Sequence, residues 1–148
     1  MKKKIYILNG PNLNLLGERE PEIYGRSSLK DIEKSLNKIA KTNNLEIVFE
    51  QSNHEGELIE LIQTASKESK GIIINPAGYT HTSIAIYDAL LSSKLPIIEV
   101  HLSNIHAREQ FRHHSVIADI AIGQIVGLGS HSYLFALEYL AHEINRGS

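Results

Sequence analysis

The chain has 148 residues, a length that suits one domain, and its 42% hydrophobic content suffices for one sizeable core, so residues 1–148 are expected to fold as a single domain. A formal charge of −2 with scattered basic residues excludes the clustered cationic stripe that binding to phosphate backbones requires, and no nucleic-acid partner is expected. The absence of cysteine excludes disulfides, thiolate metal sites and thiol nucleophiles, and fits a reducing compartment, with the cytoplasm as the expected location.

The opening MKKKIYILNG sets three lysines beside the apolar run Ile5 to Leu8. Four apolar residues before Asn9 and Gly10 are too few for a signal peptide or a membrane span, so the run reads as a first strand and no membrane partner is expected. Asn9 to Gly25, NGPNLNLLGEREPEIYG, carries two prolines and three glycines over more residues than most strand-to-helix loops, and is either a lid or a long surface loop. Leu29, Ile32, Leu36, Ile39 and Ala40 recur at helical spacing behind a Ser28/Asp31 capping pair. Ile47 to Phe49 is a second strand. Leu58, Ile59, Leu61, Ile62 and Ala65 form a second helical pattern, Ile72 to Ile74 a third strand, and Ile84, Ile86, Ala89 and Leu90 a third helix. Ile97 to Val100 and Ile120 to Val126, interrupted by Gly123, complete five strands, before a last helix on Tyr133, Leu137, Leu140 and Ile144.

Nearly continuous apolar runs suit strands buried on both faces. Alternation of strand and helix at this spacing implies right-handed crossovers. The expected architecture is α/β: a flavodoxin-like, doubly wound, five-stranded parallel sheet with helices on both faces. Such sheets bind ligands beyond the carboxyl ends of their strands. The polar residues gather there, in NGPNLNLLGEREPEIYG, QSNHEG, NPAGYTHTS and EVHLSN followed by HAREQFRHH.

Within these corners several residues suggest chemistry. A phenol is a poor base at neutral pH, but a neighbouring guanidinium favours its phenolate, so Arg19 near Tyr24 makes Tyr24 a candidate base. Glu99 and His101 lie two apart on a strand and share a face, either as a structural pair or as a carboxylate orienting an acid. His81 and Asp88, seven apart, fall two turns along the third helix; His81 can face the crevice, whereas Asp88 can face solvent or another subunit. Arg108 and Arg112 project together if HAREQFRHH is helical, as a charged patch or an anion clamp. His101, His106, His113 and His114 match no metal-binding spacing, and IVGLGSHS matches no phosphate-loop fingerprint, so neither a metal nor a dinucleotide is expected. An FMN-binding module and a non-catalytic interaction domain are the competing readings of the same scaffold.

Taken together, NGPNLNLLGEREPEIYG, QSNHEGELIELI, NPAGYTHTSIAIYDAL and EVHLSNIHAREQFRHHS closely resemble the type II 3-dehydroquinate dehydratases over almost the whole chain. The resemblance implies a lyase that removes water from 3-dehydroquinate to give 3-dehydroshikimate through an enolate, in the shikimate route to aromatic amino acids or in quinate catabolism. It also implies a homododecamer of four trimers. It places Tyr24 as the base, with Arg19 and Arg108 as its cations, His101 as the acid oriented by Glu99, and Asn12 holding a water against the enolate oxygen. Asn75, Leu102 and Ser103 would grip the carboxylate and ring, with His81 and Arg112 on the hydroxyls and Asp88 supplied by a neighbouring subunit. Acid–base elimination requires no cofactor, and no lysine is placed for the Schiff base of the unrelated type I enzymes. The pattern departs at Tyr87, where the family frequently has Arg.

Overall fold

A computed structural model describes residues 2–146. Five strands, β1 (Lys3–Asn9), β2 (Leu45–Gln51), β3 (Ile72–Asn75), β4 (Ile97–His101) and β5 (Gly123–Val126), form one parallel sheet in the order β2-β1-β3-β4-β5. Between and after them run α1 (Pro21–Tyr24), α2 (Leu29–Thr42), α3 (Glu55–Glu68), α4 (Ile84–Ser93) and α5 (His131–Arg146). This is the flavodoxin-like doubly wound arrangement that strand–helix alternation predicts.

The pleat divides the core in two. Ile5, Ile7, Ile73, Ile98 and Val100 face α2 and α5, and pack with Leu36, Tyr133, Leu137 and Leu140. Their neighbours Tyr6, Leu8, Ile72, Ile74 and Ile97 face α3 and α4, and pack with Leu58, Ile62, Ile86 and Leu90. Alternate residues of one strand thus serve opposite layers. α2 begins with the predicted capping box: Ser28 accepts from the Asp31 backbone N–H while the Asp31 carboxylate accepts from that of Ser28. α4 starts on Ser83, whose hydroxyl accepts from Ile86 N–H and donates to Glu55 on α3.

Two expectations are corrected. β2 and β5 are edge strands, so each is only partly covered, unlike β3 and β4. The last strand starts at Gly123, not Ile120: Ile117 C=O accepts from the N–H groups of both Ile120 and Ala121, curling that stretch into a turn before Ile122 N–H reaches Ile97 C=O.

The order 2-1-3 makes the connections after β1 and β3 diverge, opening a crevice at the carboxyl edge. A row of polar residues in register, Gln51, Asn9 and Asn75, lies along that edge. Gly10 is required by the close approach there: a Cβ on it would lie 2.4 Å from Pro76 C=O, and its N–H donates to Asn75 C=O.

Candidate active site

At this edge lies a crevice of about 250 Å³ lined from three loops. Pro11, Asn12 and Leu13 come from the loop after β1, with Arg19 and Tyr24 further along it; Asn75, Ala77, Gly78 and His81 follow β3; His101, Leu102, Ser103, Ile105, Arg108 and Arg112 follow β4. Its volume lies below the ~300–1,000 Å³ usual for drug-sized ligands, so it suits a small ring. Three guanidinium groups at its wall favour an anionic ligand.

The long loop after β1 is ordered into a 3₁₀ turn (Leu13–Leu15) and the single-turn α1, which ends on Tyr24. Two cations bracket that ring: the guanidinium carbons of Arg19 and Arg108 each lie 5.1 Å from its centroid. Arg108 Nη1 also donates to the phenol oxygen at 2.8 Å. Positive charge so placed stabilises negative charge on that oxygen. Asn12 sits at φ 69°, a left-handed conformation held by its N–H donating to Asn53 Oδ1, and its side chain makes no capping bond.

Glu99 and His101 project from β4 on the α3/α4 face. Glu99 is 0% exposed and His101 5%. Glu99 Oε2 meets His101 Nε2 at 2.6 Å. Burial opposes ionisation of Glu99, but hydrogen bonds from His101, Thr80 and Ser115 and the imidazole's charge outweigh it and hold the carboxyl below its ordinary range. His101 Nδ1 makes no hydrogen bond among the described residues.

Asn75, 3% exposed, is fixed at both ends of its amide: Oδ1 accepts from Ala77 N–H and Nδ2 donates to Tyr133 Oη at 3.0 Å. Tyr133 reaches through from α5 and donates to Asn9 Oδ1 at 2.6 Å. Burial pushes the Tyr133 phenol up, against the pull of the Asn75 bond, so this hydroxyl stays a donor. His81 Nδ1–H donates to His114 C=O at 2.8 Å. Desolvation is the main cause lowering the His81 pKa, followed by the carbonyl bond, which opposes it, and by the charges of His101 and Arg112.

Two local expectations fail. His81 closes a 3₁₀ turn (Ala77–His81) before α4 begins at Ile84, so it shares no helical face with Asp88. HAREQFRHH is two 3₁₀ turns (Ile105–Ala107 and Gln110–Arg112) around an extended Arg108, not one helix. Arg108 and Arg112 still both line the crevice, Arg108 donating to Tyr24 Oη and Arg112 to Glu109 Oε1 at 2.9 Å.

The crevice thus gathers Asn12, Arg19, Tyr24, Asn75, His81, His101, Leu102, Ser103, Arg108 and Arg112, with Glu99 directly behind His101. Asp88 is absent from it; it lies exposed on the outer face of α4, in a shallow recess with Ile59, Gln63 and Ser92. Sequence reasoning missed Thr80, Ser115 and Gln124, which bond Glu99, and Tyr133, which bonds Asn75. Thr80 falls within the polar cluster NPAGYTHTS and Ser115 closes the block EVHLSNIHAREQFRHHS, whereas Gln124 and Tyr133 read only as strand and helix positions. Among the described residues no group of three or more His, Asp or Glu is arranged to hold a metal ion.

Comparison with known proteins places the chain in a family. The family described as Dehydroquinase class II matches residues 3–141. A 3-dehydroquinate dehydratase of Halothermothrix orenii is 54% identical over 98% of both chains, and one of Endomicrobium trichonymphae is 60% identical over 91% of this chain and 94% of its own. The crystal structure of the type II dehydroquinase from Butyrivibrio crossotus superposes with a TM-score of 0.91 at 48% identity, over 94% of this chain and 97% of that one. A crevice at the switch point walled by Arg, Tyr and His, on a sheet of order 2-1-3-4-5 and with relatives this similar over nearly their whole length, makes this chain a member of the class II dehydroquinases.

Proposed function

We propose that this chain removes water from 3-dehydroquinate to give 3-dehydroshikimate, in the shikimate route to aromatic amino acids. The observation that carries the reading is Tyr24, bracketed by Arg19 and Arg108, at the same crevice as a His101 braced by buried Glu99. Ionised Tyr24 takes a proton from the carbon next to the ketone, and the electron pair moves to the carbonyl oxygen as an enolate. Asn12 holds a water against that oxygen, supplying preorganised donors where charge develops. The enolate then collapses, expelling the C1 hydroxyl, which leaves as water on taking a proton from His101. Asn75, Leu102 and Ser103 hold the carboxylate and ring, and His81 and Arg112 the hydroxyls. Tyr24 and His101 make the two proton transfers and the enolate's own electron pair breaks the bond to the C1 oxygen, so no cofactor enters the scheme.

Residues 1–148 act as one domain in this reading, and twelve chains assemble as four trimers. Asp88 completes the site of a neighbouring subunit. Two apolar residues of the same helix, Ile84 and Leu91, are 62% and 53% exposed, as on a surface that another subunit covers. Light scattering should give about twelve times the 16.5 kDa chain mass; a monomer would remove Asp88 from the site. The cytoplasmic location belongs to the same reading and is checked by cell fractionation. The reaction itself is tested by ultraviolet absorbance: adding 3-dehydroquinate should generate the conjugated enone, and a flat trace at high protein concentration overturns the assignment.

A further inference from the structure

The carboxylate behind His101 is held from four segments of chain. Oε2 accepts from Thr80 Oγ1 at 2.5 Å and meets His101 Nε2 at 2.6 Å. Oε1 accepts from Ser115 Oγ at 2.7 Å and from Gln124 Nε2 at 2.8 Å. Gln124 is the register partner of Glu99 across the β4–β5 pair, so an exposed edge-strand residue turns its amide inward to a buried group. An amide N–H only donates, and the two hydroxyls are aligned as donors. Three donors besides the imidazole stabilise negative charge on Glu99, so the proton shared with His101 resides on nitrogen.

We propose that Thr80, Ser115 and Gln124 are positioning residues that lock His101 in its Nε2–H tautomer, leaving Nδ1 as the atom through which the ring exchanges a proton with the crevice. A carboxylate accepts and does not donate, so Nε2 keeps its hydrogen whether the ring is neutral or charged, and only Nδ1 gains and loses one. Nδ1 is free to do so, having no hydrogen bond among the described residues. His81, Tyr24, Arg19, Arg108 and Arg112 share the crevice with His101, and His113, His114 and Asp119 lie beside Ser115 and Gln124. The catalytic meaning of the lock rests on the dehydration proposed above; the tautomer itself does not.

The test uses the full chain with 15N-labelled histidine, observed by NMR, the His101 signals being assigned by their loss in His101→Asn. Wild type should show Nε2 protonated throughout and Nδ1 alone changing with pH. Thr80→Val, Ser115→Ala and Gln124→Leu should each mix the tautomers, and Thr80→Ser, which keeps the hydroxyl, should restore the wild-type pattern. With 3-dehydroquinate, kcat in the first three should fall about tenfold or more while KM stays within about twofold, as loss of orientation rather than of binding predicts. If Thr80→Val does not fold, the exposed Gln124→Leu carries the same readings. A neutral ring protonated at Nδ1 in wild type, or variants with unchanged tautomer and kcat, overturns the proposal. Wild type that shows the locked tautomer but no turnover overturns the proposed reaction instead.

Discussion

At Tyr24 the decisive quantity is where positive charge lies. Arg108 donates to the phenol oxygen, and Arg19 adds a second cation over the ring, so negative charge developing on that oxygen is met by positive charge already in place. If this oxygen is the base, Tyr24→Phe should lower kcat by about 10²–10⁴-fold while the dissociation constant for substrate stays nearly constant, because only the oxygen is lost from a partly covered ring. Steady-state kinetics with a calorimetric binding measurement separates the two. A variant that keeps more than half its kcat assigns the base elsewhere. Glu99 shows the complementary device: a buried acid kept charged by donors rather than by water.

At the scale of elements, Tyr24 ends α1 and His101 ends β4. Tyr133 is the tie between layers, since one hydroxyl on α5 joins Asn9 at the end of β1 to Asn75 at the end of β3. Tyr133→Phe keeps the packing of the ring but strands an amide oxygen and an amide N–H in the core. It should cost about 1–3 kcal/mol of stability in denaturant unfolding. It should also raise KM more than it lowers kcat, because Asn75 is proposed to bind rather than to react; an unchanged unfolding midpoint and KM would show the tie to be idle. The 3₁₀ turns carrying His81 and Arg112 are too short to be seen as apolar periodicity. This is why helical spacing misplaced both.

For the whole molecule, two groups make stability depend on pH with the same sign. The His81 pKa is lowered by folding, so below its ordinary 6.5 the unfolded chain binds a proton that the folded chain resists, and stability declines. The Glu99 pKa is also lowered, so its contribution is present above its ordinary 4.5 and is lost as pH falls through the folded value. Denaturant midpoints should therefore drop slightly as pH falls from 7 to 5 and more steeply below 4.5. A midpoint that rises over that span contradicts both assignments.

Much of this was legible in sequence because it depends on nearest neighbours along the chain. Apolar runs alternating with three-and-four spacing determined the five strands and the four long helices. The Ser28/Asp31 box determined where α2 starts, and the blocks NPAGYTHTS and EVHLSN marked the edge where the crevice opens. What folding decided lies at a distance in sequence: that Ile120–Ile122 curls before β5, that β2 and β5 are edges, and that Arg108 finds a phenol 84 positions earlier. Likewise Ser115 and Gln124 meet Glu99, and Tyr133 meets Asn9, through contacts set by sheet order and register. Local spacing encodes the period of a backbone, whereas a buried donor is chosen by whichever chain segment the close-packed interior brings within hydrogen-bonding reach.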